Sequence, residues 1–507
     1  MYIWPFEVSA WEGEDAAVLV APDERMALRA TAALPEGLVA FLQGELRGGR
    51  LVLPADADYG KLRKTYNARF DALRPGGIVQ CVSEQDVRAS LEGVQRFQVP
   101  FRLRAGGHSF AGQSSLGEGD GLLILLAGLN GIRVDPQCLE AEVGSGCTCG
   151  ALQQALDAHQ LLLPLGGAPV GMAGYAQGGG FGEISRSLGM NSDRVLSARV
   201  MLADGRIVEA SENLNHDLWW ALRGGTGGNF GVLLSVRYRL EQARESHGWS
   251  FAWPIAQASD RARAIEALTV LQDRVVHGSG PELNASADLR RWPAANGGPP
   301  EILRLFVWGT WFGSQADMQA LLKPLADIPG QQPFTQSGTK RMPVLRQARF
   351  VSELPPSQWK ALVDDHADLS NPASTLTLSA WGGAIADYPL EQSSFIHRQA
   401  AFNIYVTGFW DGAGDERRMQ AYLARWRASV APWWTGGIYQ NFADLDAPDY
   451  RASYWGEAFP ALLAVKRKYD PAGLFRVSQG IEAPLGGCEP PRWPPKVVDW
   501  LGRPVEV

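Results

Sequence analysis

Two glycine-rich segments stand in the first half of this chain. One is RLRAGGHSF, Arg102 to Phe110, and the other is GGAPVGMAGYAQGGGFG, Gly166 to Gly182. A residue without a Cβ lets backbone amides come close to a phosphate or a flat ring system. Two such loops in one chain point to a large phosphate-bearing cofactor. His108, directly after Gly106 and Gly107, would then lie against it. A loop histidine bonded only to backbone fits the same position. A Rossmann fingerprint does not fit the second loop. Gly174 to Gly179 reads G-Y-A-Q-G-G, without the G-x-G opening and without a βαβ unit carrying a ribose-binding acid.

The 507 residues are 46% hydrophobic and 20% charged, enough apolar material for a large core and roughly two to four domains. A net charge of -7 with no basic block argues against nucleic acid as a partner. The first twenty residues lack a basic segment followed by an apolar one, and no apolar run reaches membrane-spanning length. The five cysteines are few and odd in number, which fits a reducing compartment, so a cytoplasmic location is expected. Cys147-Thr-Cys149 is not a usual metal spacing, and no metal is expected. His159, His216, His247, His277 and His366 have no partner motif. Eighteen tryptophans serve either a core or an aromatic-lined pocket. Trp308, Trp311 and Trp381, on expected strands, could do either.

Leu38 to Asn67 reads as helix-rich. Ser83 is placed to cap a helix that has Asp86 in its first turn and Val87, Leu91 and Val94 at helical spacing. LLILLAGLNGIRVD and AEVGSG read as strands, and CGALQQALDAHQ as a helix. SARVMLADGRIVEAS reads as a hairpin with a type I′ turn at Asp204-Gly205. LWWALRGGTGGNFGVLLSVRYRL gives a helix, a glycine turn and a strand. Beyond Glu241 the character changes. EILRLFVWGTWFG, TLTLSAWGGAI and FNIYVTGFW read as strands of one antiparallel sheet. AFPALLAVKRKY is a helix, followed by a turn at Asp470-Pro471 and Pro-rich coil.

Taken in order, RLRAGGHSFAGQSS, the segment from Gly166 to Ala210, DLWWALRGGTGGNFGVLLSVRYRL, HRQAAFNIYVTGFW, YQNFADLD and AVKRKYDPAGLFRVSQGI resemble the FAD-linked oxidases of the berberine bridge enzyme type. These belong to the vanillyl-alcohol-oxidase-like flavoproteins. The resemblance spans about residues 48 to 485. It implies an α+β fold, a PCMH-type FAD-binding domain with an inserted substrate domain built on an antiparallel sheet backed by helices. The implied division is an extension at 1–35, the FAD domain at 36–245, the substrate domain at 246–446, and a segment at 447–507 that returns to the FAD domain.

The resemblance also implies site residues. His108 matches the histidine that carries flavin through its 8α-methyl. Such a bond holds the ring and withdraws electron density from it. Many relatives add a cysteine bonded to flavin C6, at the position of Gly167, and Gly166 to Gly182 holds no cysteine. A single link through His108 is therefore expected, which counts against an oligosaccharide oxidase. The remaining implied cofactor contacts are Arg104, Ala105, Gly106, Gly107, Ser109 and Gly112 in the first loop. In the second they are Gly167, Val170, Gly171, Gly174, Tyr175, Gly178, Gly180 and Gly182. Val232 and Asn441 complete the set. Tyr175 replaces a histidine of many relatives. Val170 matches a position that gates oxygen, where a small side chain resembles the oxidase state.

For the base that takes the substrate proton, the first choice is Tyr439, because Phe442 stands where many relatives carry a second tyrosine. Tyr405 is the alternative. Asn403 alternates with it on one strand face. His397 and Arg398 match a family pair with a structural role. The expected activity is hydride transfer from an alcohol, sugar or secondary metabolite to FAD, with molecular oxygen reoxidising the flavin to give peroxide. The alternatives are a dehydrogenase with another acceptor and a flavin-binding protein without turnover. The sequence leaves the oligomeric state open.

Overall fold

The computed structural model describes residues 33–116, 121–292, 302–332, 341–369, 373–447 and 449–482. Most of the 1–35 extension, the Pro-rich tail and Cys488 lie outside the described residues.

Ser83 caps the helix Glu84–Arg96 in a reciprocal capping box with Asp86, and Val87, Leu91 and Val94 turn into the core. This helix lies beside a four-stranded sheet of β1 (Arg50–Val52), β2 (Gly77–Gln80), β3 (Phe101–Arg104) and β4 (Leu122–Leu125), ordered β1-β2-β4-β3. The region expected to be helix-rich holds a helix at Glu36–Glu45, but β1 interrupts it. LLILLAGLNGIRVD is two strands, because the chain turns between Leu126 and Leu129.

Next come β5 (Ile132–Asp135), β6 (Glu140–Gly144), the two-residue β7 (Leu161–Leu162), β8 (Val195–Met201), β9 (Ile207–Ser211), β10 (Val232–Arg239) and the two-residue β11 (Glu241–Gln242). Five of them form a second sheet in the order β5-β6-β10-β8-β9, while β7 pairs with β11. The β8–β9 hairpin forms as expected, but its turn differs. Leu202 bonds Arg206 and Gly205 bonds Leu202, and only Gly205 has a positive φ, +77°. That is a three-residue loop ending in a left-handed glycine, since a type I′ turn needs two positive φ values. Leu462, Val465 and Tyr469 of the late helix Phe459–Tyr469 pack into the core of this sheet.

The third sheet holds β12 (Ser246–Ile255), β13 (Leu283–Trp292), β14 (Ile302–Phe312), β15 (Val344–Val351), β16 (Thr375–Ala380) and β17 (Phe402–Phe409). All its pairings are antiparallel, in the order β12-β14-β13-β16-β17-β15. Alternation decides its two faces. Ala287, Leu289, Leu376, Leu378, Ile404 and Val406 pack against Leu268, Leu322, Trp359 and Trp426 of the covering helices. The intervening residues, polar for the most part, face the other way, toward the first two sheets.

Buried polar ties fasten this sheet to the glycine loops. Arg186 donates to the carbonyls of Trp381 and Leu283, both at 2.7 Å. Arg398 donates both terminal nitrogens to Asp193, at 2.7 and 2.8 Å, with each side chain 2% exposed. Arg398→Ala leaves Asp193 charged and buried. The expected loss is about 3 to 5 kcal/mol, read as a shift of the denaturant midpoint.

Candidate active site

A cavity of about 620 Å³ lies between the glycine loops and the polar face of the third sheet. Its floor is backbone. The two loops touch at Gly106 and Gly171, where a Cβ on Gly106 would stand 2.5 Å from the Gly171 Cα. Only a glycine pair permits that approach. Along the same wall, a Cβ on Gly174 would meet nothing within 4 Å, and one on Gly167 would meet only Pro169, at 4.0 Å. These positions leave open volume over exposed backbone, the cradle that a flat ring with a phosphate tail requires. The expected residues Ala105, Gly106, Gly107, His108, Ser109, Gly167, Val170, Gly171, Gly174, Tyr175, Gly182, Tyr405, Tyr439 and Asn441 all line the cavity.

Six expected residues do not line it, and each has a structural task or setting instead. Arg104 is buried and donates to the carbonyls of Leu62, Arg63, Lys64 and Ser114. Gly112 makes room for the Phe70 ring. Gly178 makes room for the Asn441 amide, 2.0 Å from where its Cβ would be, and Gly180 packs on Asn191 and Tyr175. Val232 sits in the core beneath the first sheet. Asn403 shares a strand face with Tyr405 but is fully buried beyond the cavity, its amide without a hydrogen-bond partner.

His108 stacks on Tyr66, with centroids 4.1 Å apart and planes 24° from parallel. Burial, and then the nearby Arg346 guanidinium, pull its imidazole down to about 4. The ring is therefore neutral near pH 7 and has a free nitrogen lone pair.

The two tyrosines differ. The Tyr439 hydroxyl accepts from the Phe181 N–H at 2.9 Å and the Asn441 amide at 3.1 Å. Asn441 also donates to the Tyr175 carbonyl at 2.9 Å. This triangle pins the second glycine loop, and burial pushes Tyr439 up to about 12. Tyr405 instead projects from the sheet. In register across the strands, Asp288 pairs with Thr377 and Thr377 with Tyr405. Thr377 stands between Asp288 and Tyr405 on this face. The next row runs Arg290, Thr375, Thr407, Arg346. Burial raises Tyr405, and the Arg346 guanidinium opposes that rise.

Two carboxyls complete the cavity. Glu183 follows Gly182, lines the cavity with Trp308, and is raised by burial to about 7. Burial raises Asp288 to about 6. Sequence reading missed Asp288, Arg290, Arg346, Thr375, Thr377 and Glu183. The signal for most of them was present. In LNASADLR and TLTLSA, polar residues alternate strictly with apolar ones, and this polar face lines the cavity rather than the outer surface.

Of the three tryptophans, Trp308 lines the cavity. Trp381 is core and donates to the His397 carbonyl at 2.7 Å, and Trp311 packs against the core behind the sheet. His397 stacks on Phe350 and bonds the Tyr454 carbonyl. His366 bonds the Tyr422 hydroxyl at 2.8 Å. Burial lowers His397 to about 3 and His366 to about 4. Each contributes stability above pH 6.5 that is lost as pH falls through its folded value. The raised carboxyls Asp288 and Glu183 act with the opposite sign as pH rises toward 7. In His366→Gln the fall in unfolding free energy between pH 6.5 and pH 4 is expected to be smaller by about 3 kcal/mol, measured by urea titration at each pH.

Cys147 and Cys149 are both buried, with Cys147 against the Asn130 carbonyl and Cys149 against the Met172 sulfur. Among the described residues no group of three His, Cys, Asp or Glu could hold a metal ion, and no helix is long and apolar enough to cross a membrane.

Residues 75–211 match the family described as FAD binding domain, and residues 438–482 match the family described as Berberine and berberine like. The chain is an FAD-linked oxidoreductase similar to the berberine bridge enzymes. It is 28% identical over 454 residues to YvdP of Bacillus subtilis (strain 168), named an uncharacterized FAD-linked oxidoreductase, covering 85% of this chain and 98% of that one. Its fold matches BBE-like 1 of Physcomitrella patens with a TM-score of 0.78 at 22% identity, over 89% of this chain and 100% of that one. A structure titled chitooligosaccharide oxidase matches with a TM-score of 0.74 at 22% identity, over 88% and 99%. For a flavoprotein of this kind the glycine cradle fits FAD. Ala105 to Ser109 and Gly167 to Gly174 would hold it.

Proposed function

We propose that this protein is an FAD-dependent oxidase of a small alcohol, sugar or secondary metabolite, with its flavin held by one covalent bond to His108. Residues 36–245 with 447–507 form the cofactor lobe in this reading, and 246–446 the substrate lobe. FAD supplies a hydride acceptor that molecular oxygen can reoxidise, giving peroxide. The observation that carries the reading is the polar face of the third sheet lining the cavity, set opposite a backbone cradle with a neutral imidazole at its end.

Tyr405 is the favoured base. It shares the cavity face with Thr377 and Ser379, and Thr377 is in register with Asp288. A proton taken from a substrate O–H or N–H has a path along these hydroxyls to a carboxyl raised to about 6. Tyr439 is less suited, since its oxygen already accepts two hydrogen bonds from the loop that it anchors. The rings of Trp308 and Phe442 line the cavity beside this face. Val170, small and in the wall, leaves oxygen a route.

The purified protein is expected to be yellow and to keep its colour in the pellet after acid precipitation. A screen of alcohols and sugars scored by peroxide release tests the oxidase reading. Flavin reduced anaerobically and then mixed with air should reoxidise rapidly. Slow reoxidation would mean a dehydrogenase.

A further inference from the structure

Arg346 stands in the cavity wall on β15, and its setting is unusual for a guanidinium. The Phe110 ring centroid is 3.8 Å from its Cζ, Phe442 4.5 Å and Tyr405 5.1 Å. Its Nε donates to the Thr407 hydroxyl at 3.0 Å. Three aromatic rings and one hydrogen bond thus hold the group in place. No carboxylate among the described residues pairs with it. Arg398 and Arg349 pair with Asp193 and Asp444, while Arg104 and Arg186, which have no carboxylate, spend their nitrogens on backbone carbonyls. Asp288 acts on this half-buried cation without making an ion pair with it, and ring faces compensate only part of the cost of its desolvation. The terminal nitrogens, a fixed planar fork, remain for a ligand.

We propose that Arg346 seats a carboxylate of the substrate, so that the compound oxidised is a hydroxy or amino compound that also carries an acid group. This rests on the reading that His108 carries the flavin. A flavin tethered at its 8α carbon turns its dimethylbenzene edge toward the tether, and that edge has no acceptor for a guanidinium. The carbonyl edge lies at the other end of the ring system. An anion in direct contact with the Arg346 fork would then come with the substrate. The fork matches the two oxygens of a carboxylate, and the hydroxyls of Thr407 and Thr375 in the same row leave room for further polar contacts. Tyr405, one row away, would lie beside the bond to be oxidised while Arg346 holds the acid.

The test uses the purified holoenzyme at fixed ionic strength. Acetate, benzoate and 4-hydroxyphenylacetate are titrated against the corresponding amides, with the visible absorption of the flavin as the readout. At least one acid is expected to give a saturable change that its amide does not give. Arg346→Met should weaken that binding about 10- to 100-fold, the loss of charge-assisted hydrogen bonds. Arg346→Lys, which keeps the charge without the fork, should fall between and decides the matter if the methionine variant does not fold. Acids that bind no better than amides, no binding by any acid, or unchanged affinity in both variants would overturn the proposal. Tyr405→Phe should bind the acid normally. Loss of covalent flavin in the wild type, seen after acid precipitation, would mark failure of the tether reading separately.

Discussion

His108→Ala is expected to purify as a yellow protein that releases all of its flavin into the supernatant on acid precipitation, leaving a colourless pellet. The wild type should release none. The difference is the whole covalent fraction, read by flavin fluorescence of the supernatant and by the mass of the intact chain. The physical basis is local. His108 stacks on Tyr66 at 4.1 Å, and burial and Arg346 keep its ring neutral, pulled down to about 4. A neutral imidazole has the lone pair that a bond to carbon needs, and an imidazolium does not. The second loop offers no thiol, since Cys147 and Cys149 lie in the core, in contact with Asn130 and Met172. Non-covalent binding should survive in the variant, because the backbone cradle from Gly167 to Gly174 does not depend on the imidazole. Flavin that stays with the acid pellet of His108→Ala would mean a different tether.

Tyr405→Phe should slow flavin reduction by substrate about 10²- to 10⁴-fold, the usual contribution of a positioned proton acceptor, with little change in stability. Tyr439→Phe should do the reverse. It leaves the Phe181 N–H and one Asn441 N–H without an acceptor in a buried place, at about 1 to 3 kcal/mol each, and it loosens the second glycine loop. Its rate should fall far less than that of Tyr405→Phe. Anaerobic stopped-flow reduction and denaturant titration of both variants separate the two roles. Equal rates in wild type and Tyr405→Phe would remove Tyr405 as the base.

The elements with strong local signals were legible in advance. Ser83 and Asp86 announce a helix start, Asp204-Gly205 a hairpin, and the run from Gly166 to Gly182 a backbone-lined wall. The turn type at Gly205 was not legible, because Asp204-Gly205 fits both a two-residue and a three-residue loop, and the strand register decides between them. Arg104, Gly112, Gly178, Gly180 and Val232 adjoin cavity residues in sequence or lie within the matching segments. Each in fact packs against protein, since one residue along a loop or strand is enough to turn a side chain away.

The site shows the same division. Local chemistry singled out the glycine loops and His108, while the resemblance supplied Tyr439 as the first choice of base and Tyr405 as the alternative. Asp288, Thr377 and Arg346 come from three separate strands, and their neighbours in sequence do not indicate that they meet. Only the strand order β13-β16-β17-β15 brings Asp288, Thr377 and Tyr405 into one row and Arg346 into the next. By itself the sequence determined the family, the fold class and the cofactor, each written in contiguous segments. The tertiary structure decided which polar residues face one another across the cavity, because side-chain direction depends on register, and register is a property of paired strands rather than of any one of them.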